Sequence, residues 1–359
     1  MRLQCDWPLL VLLGSVACAD ATPQVHGVVL DSVATIVLAE PDSAPLNRVI
    51  GLLHAADGSW YLSDNGNDQV SHFSDRGAFV GHLGRAGQGP GEFEAPQDIV
   101  QLSDDTLAVA DMMAQRITLF VNGSPDTAIN LPVNPQSMVV RGDTGWIEDV
   151  DVATGTALLR WDRQKNSFGR LAPVPSDFSD GSVLAATFGS GQTVAWPDSL
   201  LLVLDGYAWA RLYRPDGTAL DSFTIPARLR RGTPLDLAQR LAQQRDFAAM
   251  FSAASWLFGA ADIGDGGIAL MHGDQDFDIQ TRKIVNPRSY LTLLDRATHR
   301  ACVDLPMPVS GDVLPVVAFG HDTLYLLDRR ITDAGGLTTT ITSYRLHPDA
   351  CPAEAVMEF

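Results

Sequence analysis

The sequence predicts an all-β fold in which a four-stranded sheet recurs six times along the chain, and three observations support this. A turn with Asp or Gly, a short apolar run and, in most copies, a terminal acid recur about 53 residues apart. Turns such as Asn-Gly and Asp-Gly follow the next run in several copies, which is typical of β-hairpins. An apolar segment before the first copy, residues 25–38, can close the last sheet. Six such sheets in radial arrangement form a six-bladed β-propeller, whereas stacked sandwiches predict no sixfold repeat.

Each recurring run predicts one strand, because it is short, rich in strand-forming residues and bounded by turn residues. The six copies are residues 57–64, 105–111, 143–149, 198–205, 265–272 and 322–328. A following strand is predicted at residues 70–73, 116–120, 158–161, 211–213, 290–294 and 341–344. A return strand after these and an inner strand before each run complete four strands per repeat. Pro96-Gln97-Asp98 and Pro135-Gln136-Ser137 mark two of these inner strands.

Two neighbouring repeats carry a signature that resembles the NHL-type six-bladed propellers of bacteria. It consists of residues 84–93, Pro96, Asp111, Arg116, Ile117 and Phe120. The first repeat shows the same signature in residues 64–70, but Gln69 stands where Arg is usual. The resemblance is specific over residues 46–133 and implies a propeller scaffold. That class contains binders and a few enzymes, so the resemblance implies no single function.

One insertion interrupts the repeat, and it predicts a helix around residues 233–250. Thr233 and Pro234 are typical of a helix start, and Leu237 and Leu241 share one face of the stretch that follows. The insertion is either an inter-blade loop packed on the rim or a lid over one mouth of the channel. In the second case the preceding arginines, within residues 228–231, would face an anionic ligand.

The N-terminus predicts export to the bacterial cell envelope. Residues 1–17 form a signal peptide with a short apolar stretch, and Cys18 follows in a segment that resembles a lipobox, apart from Ser15 in place of Leu. Lipidation of Cys18 would anchor the protein, whereas ordinary cleavage would give a soluble periplasmic or secreted protein. The predicted organisation is then a linker and closing strand over residues 18–45 and a propeller over residues 46–359.

Two cysteines remain in the predicted propeller, Cys302 and Cys351. An isolated pair in an oxidising compartment usually forms a disulfide, and two buried free thiols are the alternative.

The charge of the chain disfavours nucleic acid as a partner. There are 25 Lys and Arg against 43 Asp and Glu, for a formal net charge of −18, and phosphate backbones require a concentrated basic surface. We expect a monomer that contacts the membrane only through the lipid anchor.

The beginnings of the inner strands provide the candidate ligand-binding residues, because these strands all start at one mouth of the central channel. The candidates are Asn47, Arg48, Gln97, Asp98, Gln136 and Trp256. Because the sequence shows no assembled catalytic group, these residues favour a non-catalytic module that recognises a protein, peptide or glycan. No catalytic residue and no cofactor are predicted.

A metal-dependent hydrolase or lyase of the lactonase-like propeller kind is the alternative. Asp98 is the only carboxylate among the inner-strand starts, and a hard cation requires several oxygen ligands. A weaker candidate Ca²⁺ site is the alternating series Asp274, Asp276 and Asp278, whose carboxylates would share one face of an extended segment.

Overall fold

The computed structural model confirms a six-bladed β-propeller of four-stranded antiparallel blades. The structure describes residues 29–151, 153–174, 188–206, 209–281, 283–308, 315–331 and 337–359. The predicted signal peptide (residues 1–17), the lipidation site Cys18 and residues 25–28 of the closing segment lie outside the described residues.

The first strand, β1 (Leu30–Leu38), belongs to the last blade, and four blades of consecutive strands follow it. Blade 1 consists of β2 (Val49–His54), β3 (Trp60–Asp64), β4 (Gln69–Phe73) and β5 (Phe79–Leu83). A loop containing the short parallel strands β6 (Arg85–Ala86) and β7 (Glu92–Phe93) leads to blade 2. Blade 2 consists of β8 (Pro96–Ser103), β9 (Thr106–Asp111), β10 (Arg116–Val121) and β11 (Ser124–Asn130). Blade 3 consists of β12 (Ser137–Arg141), β13 (Thr144–Asp151), β14 (Thr156–Asp162) and β15 (Ser167–Pro173). Blade 4 consists of β16 (Gly191–Ala195), β17 (Leu200–Leu204), β18 (Trp209–Tyr213) and β19 (Ala219–Thr224).

The last two blades incorporate the two ends of the described chain. Blade 5 consists of β20 (Ser255–Gly264), β21 (Gly267–Asp278), β22 (Lys283–Asp295) and β23 (Arg300–Pro306), with β27 (Val356–Glu358) as a fifth, outermost strand. Blade 6 consists of β24 (Val316–Phe319), β25 (Thr323–Ile331), β26 (Leu337–Leu346) and, as its outermost strand, β1.

The ring is closed by β1, which pairs antiparallel with β26 from Leu30 opposite Leu346 to Leu38 opposite Thr339. The chain then passes directly to blade 1, where the backbone N–H of Ala39 donates to the carbonyl oxygen of Gly77 at 2.8 Å. Gly77 has a φ of +82°, and a Cβ at this position would lie 2.2 Å from the carbonyl oxygen of Val37. Glycine is therefore required where the closing strand meets the first blade.

The C-terminal tail joins blade 6 back to blade 5. Two short 3₁₀ turns follow β26 (Pro348–Ala350 and Ala353–Ala355), and the final strand pairs with β23. Cys351, between these turns, forms a disulfide with Cys302 of β23, with a Cα–Cα distance of 5.8 Å.

The hydrophobic core of the described chain lies between the blades, because each sheet presents both faces to a neighbour. In β17, Leu200, Leu202 and Leu204 pack towards blade 3. The alternate residues Leu201 and Val203 pack towards blade 5. This placement explains why the recurring runs are apolar throughout rather than alternating. The inner strands contact one another in ring order, and β24 contacts β2 to complete the circle.

The predicted helical insertion consists of two helices, α1 (Leu235–Gln243) and α2 (Phe247–Ala253). They are separated at residues 244–246, where Arg245 has a φ of +59° and Asp246 caps α2 by accepting from the backbone N–H of Ala249 at 3.1 Å. Ala238, Ala242 and Met250 of these helices are part of the core between blades 3 and 4. The insertion is thus packed on the propeller body.

Two of the three arginines before the insertion form ion pairs with acids of blade 5. Arg230 pairs with Asp304 at 3.4 Å, and both side chains are buried. Arg231 pairs with Asp276 at 2.6 Å. These two side chains therefore hold the insertion to blade 5.

Candidate functional site at the channel mouth

The acid at the end of the second strand fixes the segment that enters the same blade. In blade 1, the carboxylate of Asp64 accepts from the backbone N–H groups of Asn47 at 3.0 Å and Arg48 at 2.9 Å. In blade 2, Asp111 accepts from those of Glu94 at 3.1 Å and Ala95 at 2.9 Å. The recurring acid in these blades is thus a structural element of the repeat, and it positions the residues in front of the inner strand.

Asn47 and Arg48 lie immediately before β2, with exposed side chains. The side-chain amide of Asn47 donates to the carbonyl oxygen of Gly66 at 3.1 Å. This hydrogen bond fixes the Asn47 side chain against the turn that follows β3.

Gln97, Asp98 and Gln136 come together between the inner strands of blades 2 and 3. The Nε2 atoms of Gln97 and Gln136 donate to the sulfur of Met112 at 3.1 and 3.2 Å. The Asp98 carboxylate accepts from the backbone N–H groups of Ile99 at 2.8 Å and Met138 at 2.7 Å. Burial raises the pKa of Asp98 to about 6, although these hydrogen bonds oppose the rise. Met112, which the sequence reasoning missed, lies in the turn after the acid Asp111, at the same end of the blade.

Trp256 does not join these residues. Its indole stacks on Phe251 of α2 with ring centroids 5.2 Å apart, and its Nε1 donates to the carbonyl oxygen of Phe251 at 3.1 Å. The ring also contacts Phe188 at 5.0 Å. Trp256 therefore anchors the insertion rather than offering a free aromatic surface.

Asp274, Asp276 and Asp278 each have separate partners. Asp274 is buried and accepts from the hydroxyl of Ser255 at 2.7 Å, while Asp276 is paired with Arg231. Asp278 accepts from the backbone N–H of Gln280 at 2.8 Å, and the strand register shifts between Asp274 and Asp276. Throughout the described ranges, no group of three or more His, Cys, Asp or Glu side chains is arranged to hold a metal ion.

Two carboxyl groups between blades 3 and 4, the buried Glu148 and the half-buried Asp205, were missed by the sequence reasoning. Glu148 is fully buried, and neither of its carboxylate oxygens accepts a hydrogen bond from the described residues. Burial raises the pKa of Glu148 well above its ordinary value, the negative charge of Asp205 adds to this, and the nearby N–H of Gly191 offsets only part. Burial also raises the pKa of Asp205 to about 7. The surroundings of Glu148 therefore favour its neutral form over the carboxylate.

Replacing Glu148 by Gln is expected to remove part of the pH dependence of stability. Because the folded pKa is raised, the stability of the natural protein is fully present below the ordinary value of 4.5 and declines as the pH rises through the folded pKa. Glu148→Gln has no proton to lose, so its free energy of unfolding should fall less between about pH 5 and about pH 8 in urea titrations.

Glu354→Gln removes an exposed acid and serves as the control for the loss of one carboxyl group. If the free energy of unfolding of Glu148→Gln fell as steeply with pH as that of the natural protein, a raised pKa of Glu148 would be contradicted.

An open cleft of about 470 Å³ lies beside Asn47, on the face of the propeller where the inner strands begin. It is lined by Ser43, Ala44, Pro45, Leu46, Asn47, Asn67 and Gln69. The lining offers a hydroxyl group, three side-chain amides and the backbone of the segment that enters blade 1. Of the predicted site residues, Asn47 alone lines this cleft.

The structure is thus a six-bladed propeller with a polar cleft at its first blade. Comparisons with known proteins agree on the fold. The family model DUF5128, described as a 6-bladed beta-propeller, matches residues 24–147. No curated protein sequence matches the chain. Within the described residues, no helix has the length and apolar character needed to cross a membrane.

Three solved structures illustrate the similarity. A Bacteroides fragilis protein assigned as exported has a TM-score of 0.62 at 13% identity, covering 91% of this chain and 98% of its own. A DUF4221 family member from Bacteroides vulgatus has a TM-score of 0.61 at 9% identity, covering 89% and 98%. Virginiamycin B lyase from Staphylococcus aureus has a TM-score of 0.50 at 11% identity, covering 89% and 99%. At these identities the likeness shows the fold, and the NHL-type assignment stays a prediction.

Proposed function

We propose that this chain is a non-catalytic, lipid-anchored binding module of the bacterial envelope, which recognises a protein, peptide or glycan through the face where the inner strands begin. The observation that carries the proposal is the open polar cleft at this face. Its amide and hydroxyl groups are both donors and acceptors, which suits a peptide backbone or a sugar.

The rigidity of the surrounding mouth supports a binding role. The segment before β2 is fixed by Asp64, and Gln97 and Gln136 are both bound to Met112. A site whose groups are already ordered loses little conformational entropy when a ligand binds. Export is supported by the predicted signal peptide.

Combined substitution of Asn47 and Gln69 by Ala is expected to weaken ligand binding by roughly tenfold or more, because both side chains line the cleft. Binding of a glycan array and a peptide library to the purified protein identifies the ligand, and calorimetry then compares the variants. Asp104→Ala is the matched control, because Asp104 is exposed in the turn after β8, at the opposite end of the blade.

A ligand that binds the double variant and the natural protein equally would place recognition on another surface. If no glycan or peptide binds the natural protein, and elemental analysis finds stoichiometric Ca²⁺, the metal-dependent hydrolase or lyase takes the place of this proposal.

A further inference from the structure

Blades 1 and 2 share one backbone frame, in which the same hydrogen bonds join an acid to the segment that enters the blade. Corresponding residues of the two blades differ by 47 in number. Asp64 corresponds to Asp111, and the N–H groups bound by these acids, at residues 47–48 and 94–95, correspond as well. Gln69 corresponds to Arg116, since each lies directly opposite the acid in the strand pairing. Differences between the two mouths therefore arise from a few side chains.

In blade 2, Arg116 fills the space between the strands and the entering loop. Its guanidinium donates to the carbonyl oxygen of Gln88 at 2.9 Å and to that of Glu92. It also lies 3.6 Å from the carboxylate of Asp111, and its side chain is only 10% exposed. The buried acid is therefore neutralised from within the blade.

In blade 1, the same frame lacks this cation. The amide of Asn67 donates to the carbonyl oxygen of Pro45 at 2.9 Å and to Asp64 at 2.8 Å. Pro45 and Asp64 correspond to Glu92 and Asp111, two of the groups that Arg116 contacts in blade 2. Gln69 is shorter than Arg, and the cleft lies beside it.

The charge balance differs in the same way. Asp64 is fully buried, and no ion pair among the described residues involves it. Asp68 lies in the same turn as Asn67. Burial raises the pKa of Asp68, and the negative charges of Asp111, Glu94 and Asp64 raise it further. Asp42, next to the lining residue Ser43, is exposed. The guanidinium of Arg329 donates to the carbonyl oxygens of Asn47 at 2.6 Å and Leu46 at 2.5 Å, and it lies 3.9 Å from Glu40, which balances its charge. The acids Asp42, Asp64 and Asp68 outnumber Arg48, the one base next in sequence to a lining residue, so the surroundings of the cleft are net negative.

We propose that the blade 1 cleft binds the guanidinium group of an arginine side chain of a peptide or protein ligand, next to the Asn67 amide, which in this blade takes two of the contacts that Arg116 makes in blade 2. This inference rests on the proposed binding function and specifies the ligand class of the same site. The carbonyl oxygen of Pro45 and the amide oxygens of Asn47 and Gln69 would accept its N–H groups, and Asp64 behind them would supply the negative charge.

The test compares two peptides and three forms of the protein. The peptides are acetyl-Gly-Arg-Gly-amide and the same peptide with citrulline, which keeps the shape of arginine but carries no charge. Gln69→Arg should place the protein's own guanidinium in the cleft, with a thermal unfolding midpoint at least as high as that of the natural protein. Gln243→Arg adds the same charge at an exposed position of α1 and is the matched control.

We expect calorimetry to show that the arginine peptide binds the natural protein and Gln243→Arg equally, and that citrulline weakens binding by roughly tenfold or more. Gln69→Arg should bind neither peptide, and higher salt should weaken binding to the natural protein. Equal binding of the citrulline peptide would overturn the cation inference and leave the binding function standing. So would arginine binding that survives Gln69→Arg, or no arginine binding to a protein that binds other ligands through Asn47.

Discussion

Removal of the Cys302–Cys351 disulfide is expected to lower the free energy of unfolding by about 4 kcal/mol. The bond joins residues 49 apart in sequence, so it restricts a long loop of the unfolded chain. The loop contains the blade 6 strands β24, β25 and β26, so the unfolded chain gains freedom across much of a blade when the bond is absent. Urea unfolding of Cys302→Ala/Cys351→Ala against the natural protein measures the loss.

Reduction of the natural protein is the matched control, and it should give the same loss as the double substitution. Limited proteolysis should also cut the chain after Leu346 sooner in both reduced and substituted forms, because only noncovalent contacts, such as the pairing of β27 with β23, then hold the tail. A loss below about 1 kcal/mol would contradict this prediction, because it would show that the disulfide restricts the unfolded chain little.

Substitution of Arg116 by Ala is expected to lower the free energy of unfolding by about 3–5 kcal/mol. It leaves the carboxylate of Asp111 buried without a cation, and it removes the donors to Gln88 and Glu92. Breaking one side of a buried ion pair has this large effect because the remaining charge cannot be solvated. Chemical denaturation measures the change.

Blade 1 itself supplies a matched comparison for this substitution. Arg116→Gln/Ala114→Asn transplants the arrangement of Gln69 and Asn67 into blade 2, because positions 114 and 116 correspond to 67 and 69. We expect the double variant to recover part of the stability that Arg116→Gln alone loses, since the new amide can donate to Glu92 and Asp111. No recovery would mean that the two frames are not equivalent.

The blades could be predicted from the sequence because their repeat is governed by local chemistry. The runs that end in Asp64, Asp111 and Asp328 are apolar throughout because both sheet faces are covered, and the structure has strands in these positions. The acids Asp64 and Asp111 recur because each one binds the segment that enters its own blade. In the fifth copy the predicted run ends at His272, whereas β21 continues to Asp278 and contains the buried acid Asp274.

The cleft could be predicted only in part. Gln69 in place of Arg was visible in the sequence, but its effect depends on how residues 43–47 fold over it. The sequence also placed Trp256 at the channel mouth, where α2 covers its ring through Phe251. Contacts between an insertion and a blade have no periodic pattern, so they require the three-dimensional arrangement.

Ring closure by β1 has a consequence for the order of folding. Leu30 pairs with Leu346, so the earliest described strand finds its neighbour only after nearly the whole chain has been made. Such a distant contact slows the final step, because a very long chain segment must be brought together before the pairing is gained. Until then β1 and the outer edge of β26 both expose unpaired backbone groups that can pair with other chains. We therefore expect incomplete chains that stop before β26 to aggregate, whereas in the finished chain β1 pairs with β26 and covers its outer edge.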